Sequence, residues 1–279
     1  MSDNRQPIKE SGHWYRQDGT QCLTMPKVKG DGHKRVTLRE ARQLGDLAPG
    51  VTTILRCAAS PQLDRWKHRQ AIMSALTLPR LDDETEDAWL RRVEEDMGET
   101  TRQAAAEGTR IHAAIEQALS DEPHAPEYAP HVAGVMRLLG ELAGNGAQWV
   151  PERGVTHGYG FGTKSDAHDA EGRFCIDFKS TEGDQDKLDG LKTFERHHMQ
   201  LAATRAALEA QDGATTAAAR NYDGPRRRCF IVYVSRTHPG ACSAAEVTEK
   251  QLVTGWACFV SLLRYWQAKS NYRPNWAAR

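Results

Sequence analysis

The sequence has no net charge, no closely spaced cysteine pair, no long apolar run and no internal repeat or low-complexity tract. Lysine plus arginine number 37 and aspartate plus glutamate number 37, so no whole-surface attraction to polyanions exists. Any field for nucleic acid must be local. The six cysteines, at 22, 57, 175, 229, 242 and 258, form no C-x-x-C pair, which excludes a zinc ribbon. Scattered in this way, they read as reduced, buried small side chains. No segment approaches the ~20 apolar residues of a membrane span. The opening Met1-Ser-Asp-Asn-Arg-Gln-Pro7 is polar, so a cytoplasmic protein is expected. At 279 residues the chain is long enough for one proper core or two small ones.

What is present reads as a mixed α/β (α+β) chain with a helical N-terminal half. Residues 1–48 are expected to be an arm and a short helix, with 1–35 loose or weakly hairpinned. Thr37-Leu-Arg-Glu40 is a capping-box pattern that starts the helix. Residues 49–279 are expected to be a single domain: a helical part over 49–145, a sheet core over 146–235 and a closing helix over 246–269. Within the helical part, short helices are expected after Val51 and from Pro61. One or two charged helices follow over 82–120, with Gly98 and Gly108 as breaks, and another spans 131–143. Strands are expected near 148–156, 159–167, 173–179 and 228–235, with a helix over 193–211 ended by Gly213.

The chemistry concentrates between Gly162 and Lys179. Gly162-Thr-Lys-Ser-Asp166 and Cys175-Ile-Asp177-Phe-Lys179 are strand-like and flank the turn residues Asp169-Ala-Glu-Gly172. A turn centred there sets Asp166 roughly opposite Cys175. Alternation then puts Cys175, Asp177 and Lys179 on one face, with Asp166 diagonal to Asp177 at roughly 7–8 Å. Ile176 and Phe178 turn to the opposite side, toward a core. A one-residue slip would undo this. Two carboxylates at that spacing suit a hard divalent cation such as Mg2+ or Mn2+, which neutralises phosphoryl charge and acidifies a bound water. A lysine two residues on can orient that water, help deprotonate it or offset negative charge. Asp-x-Lys alone is common and could be a solvated strand edge.

The order Val51-Thr-Thr-Ile-Leu55, Leu63-x-x-Trp66, Gly108-Thr-x-x-His112, Gly162-x-x-x-Asp166, Asp177-Phe-Lys179 and Gln200 resembles the PD-(D/E)xK nuclease superfamily, in its RecB-like, phage-type exonuclease branch. The resemblance covers residues 50–235. It implies a restriction-endonuclease-like core, a central mixed sheet flanked by helices, with the site at one edge. It also implies that Asp166 and Asp177 bind metal, that Lys179 is the catalytic lysine and that His112 and the Phe178 carbonyl are further ligands. Gln200 then supports the site or contacts DNA. Where the family often has a tyrosine four residues after that glutamine, this chain has Thr204. Glu152 matches an upstream acidic position, for which Glu116 competes. Iron–sulfur members use a tight C-terminal cysteine cluster. Cys229, Cys242 and Cys258 are too widely spaced for one, so no iron–sulfur cluster is expected.

Each element has a plainer reading. His112 and Glu116 could pair across one helical turn. Gly108 and Thr109 could be a break and cap. Gln200 could line a polar helix face, Trp66 could anchor a core, and His197-His198 could face solvent. The run Arg220 to Arg228, with Arg226, Arg227 and Arg228, could contact DNA phosphates or be a solvated loop. Lys27, Lys29, Lys34 and Arg35 form a second basic segment that could clamp a strand. The motif order favours a Mg2+- or Mn2+-dependent deoxyribonuclease, an exonuclease on linear DNA ends in phage-type recombination or repair. Its expected partner is a single-strand-annealing or single-strand-binding protein, in a bacterial or phage-infected cytosol. A homo-oligomer is left open. The alternatives are a structure-specific endonuclease of the same fold or a catalytically silent DNA-binding or assembly protein.

Overall fold

The computed structural model describes residues 13–27, 30–59, 61–144, 146–212 and 227–278, without the side chains of residues 61–63 and 100. Its centre is a five-stranded sheet in the order β5-β6-β7-β8-β9. The strands are β5 (Trp149–His157), β6 (Phe161–Asp169), β7 (Phe174–Thr181), β8 (Arg228–Ser235) and β9 (Cys242–Val247). β7 and β8 run parallel, and the other neighbours are antiparallel. β8, with the run Cys229-Phe-Ile-Val-Tyr-Val234 almost wholly buried, lies inside the sheet, as its unbroken apolar character requires.

Both sheet faces are covered, and strand alternation decides which side chains serve each. Phe174, Ile176, Phe178, Phe230, Val232 and Val234 face α4 (Glu86–Leu119) and α5 (Ala129–Ala143), meeting Ile111, Ile115, Val135 and Leu139. Cys175, Cys229, Ile231 and Tyr233 face a larger core. Its helices are α2 (Val51–Leu55), α7 (Glu195–Gln211) and α8 (Glu249–Ser270).

Of the loose arm or weak hairpin expected at the N-terminus, the described residues 13–27 and 30–48 show the hairpin, held against the body of the protein. Trp14 and Tyr15 form β1 (Trp14–Tyr15), which pairs with β4 (Ala48–Pro49). β2 (Thr24–Pro26) and β3 (His33–Arg35) make a small hairpin. Trp14 is buried edge-on against Trp266 and Tyr272, so the two ends of the described chain share one core. Polar composition hid these two aromatic anchors. The helix α1 (Leu38–Leu44) begins at the expected capping box, where the Glu40 carboxylate accepts from the Thr37 N–H at 3.1 Å.

Gly98 and Gly108 do not break α4, which runs 34 residues. Gly108 instead marks where α4 crosses β7, since a Cβ there would collide with Ser180 Oγ. The short helix α6 (Gln185–Asp189) and the edge strand β9 were not expected. β9, Cys-Ser-Ala-Ala-Glu-Val, has small residues in place of the β-branched and aromatic types that mark a strand. No helix among the described residues is long and apolar enough to cross a membrane.

Candidate active site on strands β6 and β7

The β6–β7 turn decides the site. Gly172, at φ 78°, donates its N–H to the Asp169 carbonyl at 3.1 Å, as the Asp169–Gly172 turn requires. Gly172 and Arg173 stay out of the strand ladder, however, because the Asp169 carboxylate takes the Arg173 guanidinium at 2.8 Å and the Phe174 N–H at 2.6 Å, and the ladder is Ala167↔Ile176 and His168↔Cys175. The register therefore differs by two residues from the expected one, and Cys175 faces His168 instead of Asp166. Because the shift is even, every side chain keeps its face. Asp166 and Asp177 are brought to the next positions outward, opposite each other rather than diagonal. Pairing stops there. Asp166 Oδ2 bridges to β7 by accepting the Phe178 N–H at 2.8 Å.

The remaining side chains converge on this pair. Lys179 Nζ lies 2.6 Å from Asp177 Oδ2. Gln200, on α7, donates to Asp177 Oδ1 at 2.6 Å. Phe178 sends its ring to the opposite core. His112, on α4, meets that ring edge-on at 6.1 Å between centroids. Burial lowers the His112 pKa, opposed by Asp177 and reinforced by Lys179 and Lys164, so the imidazole feels the site's charges. Among the described residues, however, no three His, Cys, Asp or Glu side chains are grouped to hold a metal. His112 stands at the margin of an Asp166–Asp177 pair. Glu116 lies one turn further along α4.

Burial and then the adjacent Asp177 charge push the Asp166 carboxyl up to about 7, against the opposing pull of Lys179. Burial disfavours the Lys179 charge, but Asp177 and Asp166 outweigh it and hold the ammonium above its ordinary value. Asp166 has one oxygen taken by the Phe178 N–H, and Asp177 has one against Gln200 and the other against Lys179. The two facing carboxylates form an oxygen-only donor set, and their mutual repulsion is what a hard cation relieves. The residues present therefore fit a divalent ion. Mn2+ binding should weaken about tenfold per pH unit below about 7, because Asp166 must release its proton, and level off above it. Calorimetric titration across pH 5.5–8 checks this, and a flat profile would contradict it. The sign for stability is opposite. This raised acid favours the metal-free fold below its unfolded value of 3.8 and loses that contribution as pH rises through about 7.

Glu152 sits in β5 between the pairs Pro151↔Ala167 and Arg153↔Ser165, in line with Asp166, at a left-handed φ of 54°. Its carboxylate pairs with Lys164, whose charge reaches both Asp166 and His112. Thr204, in the position of the missing tyrosine, joins Thr163 by a buried hydroxyl contact of 3.2 Å and ties α7 to β6.

The basic side chains near the site are not the ones the sequence singled out. Arg226, Lys29 and residues 213–225 lie outside the described residues. Arg227 is buried and ion-paired with Asp212, near Asp169, which gives it a structural role. Arg228 pairs with Glu246 at 2.7 Å and lies over the Phe230 ring. Lys34 is held by Glu40 at 2.8 Å. Besides Lys164, Arg196 in the first turn of α7 acts on Lys179, and Arg56, after α2, lies beside Arg196. Arg196 donates to the Leu55 carbonyl at 3.2 Å, and burial, then Arg56, lowers its pKa. His13 feels Arg56, Lys164 and Arg35 as well as burial.

Tyr15 also escaped the sequence. It roofs Gly162, where a Cβ would collide with its ring, and its hydroxyl accepts from Gln21 at 3.0 Å. Burial and then Asp166 raise its pKa, which places it beside that carboxylate. A glycine inside a strand was the available signal for such a close approach. Trp66 is 42% exposed and anchors no core. His197 is half-buried between Phe194 and Tyr233 rather than facing solvent. Compared with protein-family models and with curated proteins, the chain matches none.

Proposed function

We propose that the protein is a Mg2+- or Mn2+-dependent deoxyribonuclease of PD-(D/E)xK type, with a restriction-endonuclease-like core, acting as an exonuclease on DNA ends. One observation carries the reading: Asp166 and Asp177 face each other across two strands with Lys179 and Gln200 bonded to the same carboxylate. A divalent ion at Asp166, Asp177 and the Phe178 carbonyl, with His112 at its margin, would supply Lewis-acid charge neutralisation and an acidified water. Lys179 keeps its proton and presents a positive charge where phosphoryl charge develops, so its role is electrostatic rather than that of a base. Gln200 fixes the rotamer of Asp177. The rim of Arg56 and Arg196 suits backbone phosphates without reading sequence. The same reading assigns a single-strand-annealing or single-strand-binding protein as partner.

Arg56→Ala and Arg196→Ala should each weaken DNA binding for all sequences and reduce the salt dependence of log K by about one counterion. Fluorescence anisotropy over a salt series measures this, and an unchanged slope in both variants would remove the rim from the account. The mode of cleavage is tested with end-labelled linear duplex and covalently closed circular DNA. Loss of the linear DNA alone supports an exonuclease. Cutting of the circle makes it an endonuclease, and metal-independent binding without cleavage makes it a silent DNA-binding protein.

A further inference from the structure

A helical hairpin carries the largest share of exposed apolar surface. The helix α3 (Pro61–Thr77) packs on the first half of α4, and of its described side chains only Ser74 is buried. Six of the twelve large hydrophobic side chains exposed in the described structure lie between Trp66 and Leu90. Leu76, Leu81 and Ile72 are the most exposed of them, at 73%, 62% and 61%. The hairpin tip is fixed in place. Trp89 Nε1 donates to the Leu78 carbonyl at 2.6 Å, and Arg92 bonds Glu84 at 2.8 Å and the Pro79 carbonyl at 2.9 Å. A rigid apolar face of this kind on an otherwise charged hairpin calls for a cover.

Charge indicates what covers it. The base of the hairpin carries Arg65, Lys67, His68 and Arg69, all exposed. The tip carries Asp82, Asp83, Glu86 and Asp87, also exposed. Among the described residues none of these eight forms an ion pair. Asp64 at the base and Arg80 at the tip run against the pattern, but the base keeps a net positive and the tip a net negative charge, with the apolar side chains of α3 between, so this side of the hairpin is complementary to itself when reversed. The acidic tip disfavours nucleic acid on this face. We infer that two copies of this chain pair through their α3–α4 hairpins about a two-fold axis, base against tip, with Ile72, Met73 and Leu76 at the centre. A two-fold interface uses each complementary contact twice, which suits this end-to-end asymmetry. α3 is about 25 Å long, enough to separate the two charged ends.

The test is sedimentation velocity and native mass spectrometry of the full chain at micromolar concentration. Wild type is expected as a dimer. Arg65→Glu with Lys67→Glu and Arg69→Glu, and separately Asp82→Lys with Asp83→Lys, Glu86→Lys and Asp87→Lys, each place like charges at both ends and should weaken dimerisation by about a hundredfold or more. These side chains are exposed, so both variants should keep the wild-type circular dichroism spectrum and melting temperature. Mixed in equal amounts, the two variants should form a heterodimer, because each then meets its complement at both ends. A monomeric wild type overturns the inference and leaves the face to a different protein. A dimer that survives both charge reversals, or folded variants that stay monomeric when mixed, overturns it as well.

Discussion

Lys179→Ala should lower metal-dependent DNA hydrolysis by about a thousandfold or more while leaving DNA affinity within a few-fold of wild type. The split follows from where the ammonium sits. It is 2.6 Å from Asp177 Oδ2, is two-thirds shielded from solvent, and is held protonated by two carboxylates, so its charge is fixed in place before substrate arrives. Such a preset charge acts on the transition state far more than on the bound ground state. Lys179→Arg restores charge but not shape, since a planar guanidinium cannot replace a point ammonium in this space, and should recover little. Gln200→Ala leaves Asp177 its ion pair with Lys179 and should cost less, about tenfold to a hundredfold. Single-turnover hydrolysis beside anisotropy separates the effects. Equal losses in binding and rate for Lys179→Ala would mean that the lysine only attracts DNA.

The second large effect is on stability in acid. His157 is buried, stacked on Phe161 at 5.1 Å, and its Nδ1 accepts the Tyr159 N–H at 3.2 Å, which demands the neutral ring. Burial pulls its pKa down to about 4. His168, also buried, is pulled to about 4 by burial and then by Arg227 and Arg153. Both folded values lie below the unfolded 6.5, so the stabilisation is complete above pH 6.5 and is lost as pH falls through about 4. Each ring should account for on the order of 2 kcal/mol across that window. Urea unfolding at pH 7.5 and 4.5 measures it, with His157→Gln expected to lessen the pH dependence. Because Asp166 shifts stability the other way over the same window, the deciding comparison is between proteins: a His157→Gln variant with the wild-type pH dependence would contradict the burial argument.

Much of the site was legible because it lies within one hairpin. Turn residues at Asp169–Gly172 and strict alternation place Asp166, Asp177 and Lys179 on one side even when the register is misjudged by two. The ladder position was not legible, because it depends on the Asp169 carboxylate taking Arg173 and the Phe174 N–H so that Gly172 and Arg173 stay out of the ladder, which composition does not encode. Residues brought in from afar were hidden for a related reason. Tyr15, Arg56 and Arg196 reach the site only once β1 pairs with β4 and α2 packs on α7. The arginine run read from sequence was misleading. Arg227 and Arg228 look free in a string of letters, but their acidic partners, Asp212 and Glu246, are distant in sequence or on a strand that the sequence did not announce. Gly108 looked like a break and is instead a packing contact against Ser180.

The most direct measurement of the central claim is release of acid-soluble nucleotide from linear duplex DNA with Mg2+, Mn2+ or EDTA, for wild type and Asp166→Asn plus Asp177→Asn. The account predicts hydrolysis by wild type with either ion, none with EDTA, and none by the double variant under any condition. Hydrolysis that persists in EDTA, or that survives loss of both carboxylates in a folded variant, would contradict it, as would a wild type inactive with both metals.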